Sequence, residues 1–241
     1  MVLFVKFIDA LGPAIFVGRV ADCNMSTLVD CLDNSEKSKA SRFRFVADQQ
    51  MYVAAHSLKR VVLARYIGVH PSSLLFDTEG RGKPFCTYSG APHFNISHSG
   101  GWIVVAVSTD VSVGVDIEVQ RRVDTDSIVE RIGSEDEIVA YQKSAAPQRH
   151  FLCLWTQKEA VSKACGEGIS VGLSSIPCSG KIGKYHLSFM GVDYVAYTYL
   201  LTNKVTMSFA TSAHLPPAIF SVKSPISDKA DQLFEFGKFT L

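Results

Sequence analysis

The chain has 241 residues, 47% of them apolar and 20% charged, with a net charge of +1. That length allows one large domain or two small ones with a real core, and the composition is that of an ordinary globular protein. With so little net charge no global field draws the chain to nucleic acid or to a membrane, so an acidic partner has to be held by a local basic patch.

The first residues, MVLFVKFIDALGPAIFVGRVADC, are apolar enough to suggest a secretory leader. Lys6, Asp9 and Pro13 interrupt the apolar core, and Arg19 and Asp22 stand where small neutral residues precede a cleavage site, which argues against one. No run of about 18 apolar residues occurs, so no membrane-spanning helix is expected. Cys23, Cys31, Cys86, Cys153, Cys165 and Cys178 form no CxxC pair or regular framework. Scattered in this way they predict reduced, mostly buried thiols in a cytoplasmic protein.

In chain order, a strand is expected over residues 2–8 and a short helix near 25–33. Lys37, Lys39, Arg42, Arg44, Lys59 and Arg60 then lie close together in sequence, either as a basic patch or as a solvated helix face. A longer helix is expected over 47–67, with Ala54, Leu58, Val61 and Val62 on an apolar side and Gly68 as its stop. TEGRGKPF (78–85) reads as a turn, HFNIS (93–97) as a strand, HSGG as a tight turn and WIVVAVS (102–108) as a buried strand. The pattern then restarts. A strand at 113–119 leads to a helix near 125–132, and a second helix starts from Ser134, which with Glu137 forms a capping box. A third helix over 151–165 stops at Gly166 and Gly168, and strands follow near 170–174, 184–190, 194–201 and 204–211. Strands and helices recur in both halves, so the boundary is placed near residues 110–113, between an N-terminal lobe (1–112) and a C-terminal lobe (113–241).

GVDIEV (114–119) carries the chemistry. Residues two apart on a strand share a face, so Asp116 and Glu118 project together inside an apolar run. Two close carboxylates repel, and a hard divalent cation relieves that repulsion; oxygen donors with no nearby His or Cys favour Mg²⁺ (or Mn²⁺) over zinc. An amphipathic strand with its acids in solvent is the plainer alternative. In LWTQKEAVSKACGEGI (154–169), Glu159 and Lys163 stand four apart on one helix face. They make either a surface ion pair or the remainder of a three-carboxylate site, with Lys158 or Lys163 reaching phosphate. Gly82-Lys83-Pro84 sets a cation on a rigid turn, and NISHSG presents Ser97 and His98 at a strand end. A Ser–His hydrolase lacks its Gly-x-Ser-x-Gly elbow here, and GRGKP is not a P-loop. A phosphate contact suits His98 better.

Taken in order, GKP, FNISHSG, GVDIE and WTQKEAVSKACGEGI resemble the surfactin-type 4′-phosphopantetheinyl transferases, most clearly over residues 80–170. The resemblance implies an α/β (α+β) monomer: a pseudo-two-fold pair of similar lobes, each a small, mainly antiparallel sheet packed on a long helix, with the active site in the inter-lobe cleft. It implies transfer of 4′-phosphopantetheine from coenzyme A to a serine of an apo acyl or peptidyl carrier protein, releasing adenosine 3′,5′-bisphosphate. Asp116, Glu118 and Glu159 then match the metal-binding acids, and Glu159 is also the base for the serine. His98 matches the pyrophosphate contact, Lys163 the helix lysine that holds phosphate, and Lys83, Pro84 and Ser97 residues lining the nucleotide. Many relatives carry an arginine for the 3′-phosphate where this chain has Gln49, Gln50 and Met51. Lys37, Lys39, Arg42, His56 and Arg60 are the candidates to replace it. A Mg²⁺-dependent phosphotransferase on another nucleotide and a non-enzymatic carrier-protein-binding module are the alternative functions.

Overall fold

The computed structural model describes residues 12–168, 172–213, 215–223 and 235–238. In chain order its elements are strand β1 (Ala14–Arg19), helices α1 (Met25–Leu28), α2 (Asn34–Ala40) and α3 (Val46–Ile67), strands β2 (Phe76–Glu79), β3 (Lys83–Cys86), β4 (His93–Ser99), β5 (Trp102–Ser108) and β6 (Val113–Val119), helices α4 (Thr125–Ile132), α5 (Glu135–Gln142) and α6 (Pro147–Cys165), and strands β7 (Gly183–Phe189), β8 (Val192–Thr202), β9 (Val205–Thr211), β10 (Ala218–Lys223) and β11 (Glu235–Lys238). The fold is mixed α+β, as expected.

The chain divides into two compact units. The first takes residues 12–77 and 84–110 together with the described residues from Leu215 onward. Its five-stranded sheet runs β11-β10-β1-β5-β4, with only the β1–β10 pair parallel. β5 is buried from Ile103 to Ser108, and an uninterrupted apolar run is what a strand covered on both faces requires. Gly100 and Gly101, both at positive φ, make the tight β4–β5 turn that HSGG predicted. α3 is buried without a break from Tyr52 to Ala55 and from Ser57 to Ala64, so it is the central helix of its unit rather than a one-sided surface helix. Gly68, left-handed at φ 80°, stops it.

The sequence reading departs from this unit in two places, and one expectation falls outside it. The strand expected at 2–8 lies outside the described residues, and the first described strand is Ala14–Arg19, the stretch weighed above as a leader. The C-terminal lobe expected over 113–241 loses its end, because β10 pairs with β1 and joins the first unit. The basic cluster is not one solvated face either. Arg60 is fully buried, bonding Glu36, Asp33 and the carbonyls of Pro71 and Leu74, while Lys59 and His56 both hold Glu36. Arg60 is therefore committed to this unit's interior, and the half-buried His56 to Glu36.

The second unit takes Thr78–Lys83 and residues 111–213. Its antiparallel sheet runs β6-β9-β8-β7 and packs on α6. α5 starts from the predicted capping box, in which Ser134 and Glu137 bond each other's backbone. α6 starts at Pro147 rather than 151, with proline in the first turn, where a missing N–H costs nothing. Leu173–Ser175 is a 3-10 turn rather than the strand expected near 170–174, and the remainder of that stretch to 171 is outside the described residues.

Candidate active site

β6 is an edge strand whose two faces have different work. Val113, Val115 and Ile117 are fully buried on one face. The other face, Gly114-Asp116-Glu118, meets α6, and Gly114 is the point of closest approach. A Cβ built at Gly114 would lie 1.9 Å from the Ala160 carbonyl oxygen and 2.4 Å from the Ala164 amide nitrogen. Only glycine lets helix backbone sit directly on strand backbone here, and Ala160 and Ala164 are the small residues that complete the contact. That contact brings Lys163 onto β6, where its Nζ donates to Asp116 Oδ1 at 2.6 Å and to the Val115 carbonyl at 3.2 Å. The i,i+4 spacing of Glu159 and Lys163 thus serves a helix-to-strand ion pair. Asp116 and Glu118 face the helix that carries Glu159 and Lys163.

Glu159 is buried, and its Oε1 has no hydrogen-bond partner among the described residues. Burial raises its pKa above the ordinary carboxylate value; Lys163 opposes that rise, while the charges of Asp116 and Glu118 add to it. The acids therefore feel one another. Among the described residues, however, no three His, Cys, Asp or Glu side chains form a ready metal cluster, so the expected three-acid ion site is not preassembled. Glu118 instead contacts Arg121 at 3.4 Å. The donors still suit a hard cation, since all are carboxylate oxygens and a buried acceptor at Glu159 stands open to one. Mg²⁺ usually takes one or two carboxylates and fills its shell with phosphate and water.

Lys158, a candidate for phosphate from its motif, is fully buried. It donates to the carbonyls of Leu173 and Ile176 and pairs with Glu137 at 2.8 Å. Glu137 also accepts from the Ser134 and Cys178 amides, so this lysine ties α6 to α5 and to the 173–178 loop. Lys83, expected to line the nucleotide, donates through its ammonium to the carbonyls of Lys163 (2.7 Å), Ala164 (3.2 Å) and Val113 (3.3 Å) and to the Ser112 hydroxyl. Burial pulls its pKa down to about 8. Ser97, buried, and His98, exposed, sit at the end of β4 in the first unit, as does Pro84 in β3. Beside Glu118, a cavity of about 230 Å³ is walled by Val119, Ile128, Phe151, Leu152 and Trp155. Sequence reasoning missed Gly114 and Ser112. A glycine inside a strand pattern is itself a sign of close backbone approach.

Two family models match this chain. Residues 112–210 match the 4′-phosphopantetheinyl transferase superfamily, and residues 20–110 match the 4′-phosphopantetheinyl transferase, N-terminal family. The chain belongs to the 4′-phosphopantetheinyl transferase superfamily. Among curated proteins it is similar to 4′-phosphopantetheinyl transferase psf-1 of Bacillus pumilus, 39% identical over 58% of this chain and 60% of that protein. It is also similar to 4′-phosphopantetheinyl transferase HetI of Nostoc sp. (32%; 62% and 65%) and to 4′-phosphopantetheinyl transferase Sfp of Bacillus subtilis (32%; 58% and 62%). The chain spans about three fifths of the length of these relatives.

Proposed function

We propose that the protein transfers 4′-phosphopantetheine from coenzyme A to a serine hydroxyl of an apo acyl or peptidyl carrier protein. The observation that carries this is the β6–α6 face, where Lys163 pairs with Asp116 and the buried Glu159 feels the charges of Asp116 and Glu118, inside the stretch matched by the superfamily model. The serine oxygen bonds to the phosphorus that bears the pantetheine. The bond from that phosphorus to the oxygen shared with the other phosphate breaks, and adenosine 3′,5′-bisphosphate leaves. Glu159, on the helix face that meets β6, takes the serine proton as general base. Lys163, held on Asp116, supplies positive charge where negative charge grows on the phosphate oxygens. Asp116, Glu118 and Glu159 would be the residues to hold Mg²⁺ (or Mn²⁺), which would supply charge neutralisation and polarisation of the pyrophosphate. The cavity beside Glu118 suits the uncharged pantetheine arm.

No described helix is long and apolar enough to cross a membrane, and the six cysteines are all free. The proposed setting is the cytoplasm, with the protein acting as a monomer and needing neither nucleic acid nor membrane. Mass spectrometry of a panel of apo carrier proteins incubated with coenzyme A and Mg²⁺ tests the reading. One phosphopantetheine gained per carrier, and lost in Asp116→Ala, is the expected result. No gain on any carrier overturns it, and carrier binding without modification points to a binding module.

A further inference from the structure

We infer that Lys83 is a positioning residue whose ammonium clamps the C-terminal turn of α6 to the first residues of β6. The inference rests on the transferase reading. A helix leaves its last carbonyls without intrahelical partners, and a cation there also meets the negative end of the helix dipole. Lys83 Nζ takes two of those carbonyls, Lys163 and Ala164, and from the same position reaches the Ser112 hydroxyl and the Val113 carbonyl at the start of β6. Ser112 closes the clamp by donating to Ala164 O at 2.6 Å.

The stem of Lys83 passes over Gly166, where a Cβ would stand 3.6 Å from its Cδ. Arg81, on the same hairpin tip, pairs with Glu167 at 3.0 Å. The held residue is the functional one: Lys83 grips the carbonyl of Lys163, whose own ammonium sits on Asp116. With an ammonium's three protons facing four acceptors, a phosphate would bind Lys83 only by dismantling the helix end.

Lys83→Met keeps the stem and removes the donors. The expected result is a fall in kcat of about tenfold or more, with KM for coenzyme A within about twofold. Ser112→Ala should give the same pattern more mildly, and the double variant should lose less than the two single losses combined. Lys83→Arg should recover part of kcat. Amide hydrogen exchange in the last turn of α6 should quicken in Lys83→Met whether or not a carrier is present. A rise in KM for coenzyme A with kcat unchanged would show Lys83 touching substrate and would overturn the inference. Unchanged exchange at the helix end would overturn it too. A wild-type protein that modifies no carrier would sink the transferase reading, and the exchange measurement would then decide the clamp alone.

Discussion

Gly114→Ala is the substitution that most directly tests the β6–α6 contact. Its methyl would stand 1.9 Å from a backbone carbonyl oxygen that has no rotamer by which to move aside. Ordinary contact begins near 3.4 Å, so strand and helix must separate locally by roughly 1.5 Å. Overpacking a well-filled core costs about 1–3 kcal/mol, and an overlap of backbone with backbone belongs at or above the top of that range. For a chain of this size each kcal/mol moves Tm by about 2–4 °C, so a fall of roughly 6–12 °C is expected. Activity should suffer more than stability, because about 1 Å of misplacement at a reacting centre can cost on the order of 100-fold in rate. Thermal unfolding by circular dichroism and holo-carrier formation, followed by mass spectrometry at a temperature where the variant remains folded, measure the two effects separately. A variant with unchanged Tm and undiminished turnover would refute the claim that glycine is required for the site to assemble.

Two further outcomes concern the buried charges. Lys158→Met leaves Glu137 buried without its cation, which should cost about 3–5 kcal/mol and lower Tm well beyond any effect on KM for coenzyme A. In the first unit, burial alone would raise the Glu36 pKa, but the hydrogen bond with His56 and the charges of Lys59 and Arg60 reverse this and hold it well below the ordinary value of 4.5. A carboxylate depressed on folding stabilises fully above its unfolded pKa and loses that contribution as pH falls below it. Urea unfolding midpoints should therefore begin to drop as pH falls below about 4.5 and go on dropping at lower pH, and Glu36→Gln should flatten that slope. An equal slope in the variant would place the acid sensitivity elsewhere.

Local signals in the sequence were specific wherever they stated a chemical requirement. Gly68 and Gly166 stop their helices because each takes the left-handed backbone that other residues resist, and Ser134 with Glu137 caps α5 because the two side chains reach each other's amides. Val113–Val119 is the predicted strand, and its alternation does put Asp116 and Glu118 on the face opposite Val115 and Ile117. Signals of charge alone were not specific. A run of lysines and arginines reads the same whether it faces solvent or, like Lys59 and Arg60, folds inward onto Glu36 from a helix 20-odd residues earlier. For the same reason the sequence left Lys158 and Lys163 as alternatives for reaching phosphate.

The sequence by itself determined the kinds of chemistry available: carboxylates paired on a strand, a Glu and a Lys one turn apart, glycines where chains must turn or touch. It also held the order of motifs that pointed to the family. Only the tertiary structure decided which lysine serves which end. Lys158 bonds loop carbonyls, Lys83 a helix terminus and Lys163 the aspartate, since an ammonium's role is set by the acceptors within 3 Å of it, most of which come from residues distant in the chain. The pairing of β10 with β1 is likewise a tertiary fact, because a strand's partner is chosen by the free sheet edge that folding presents to it.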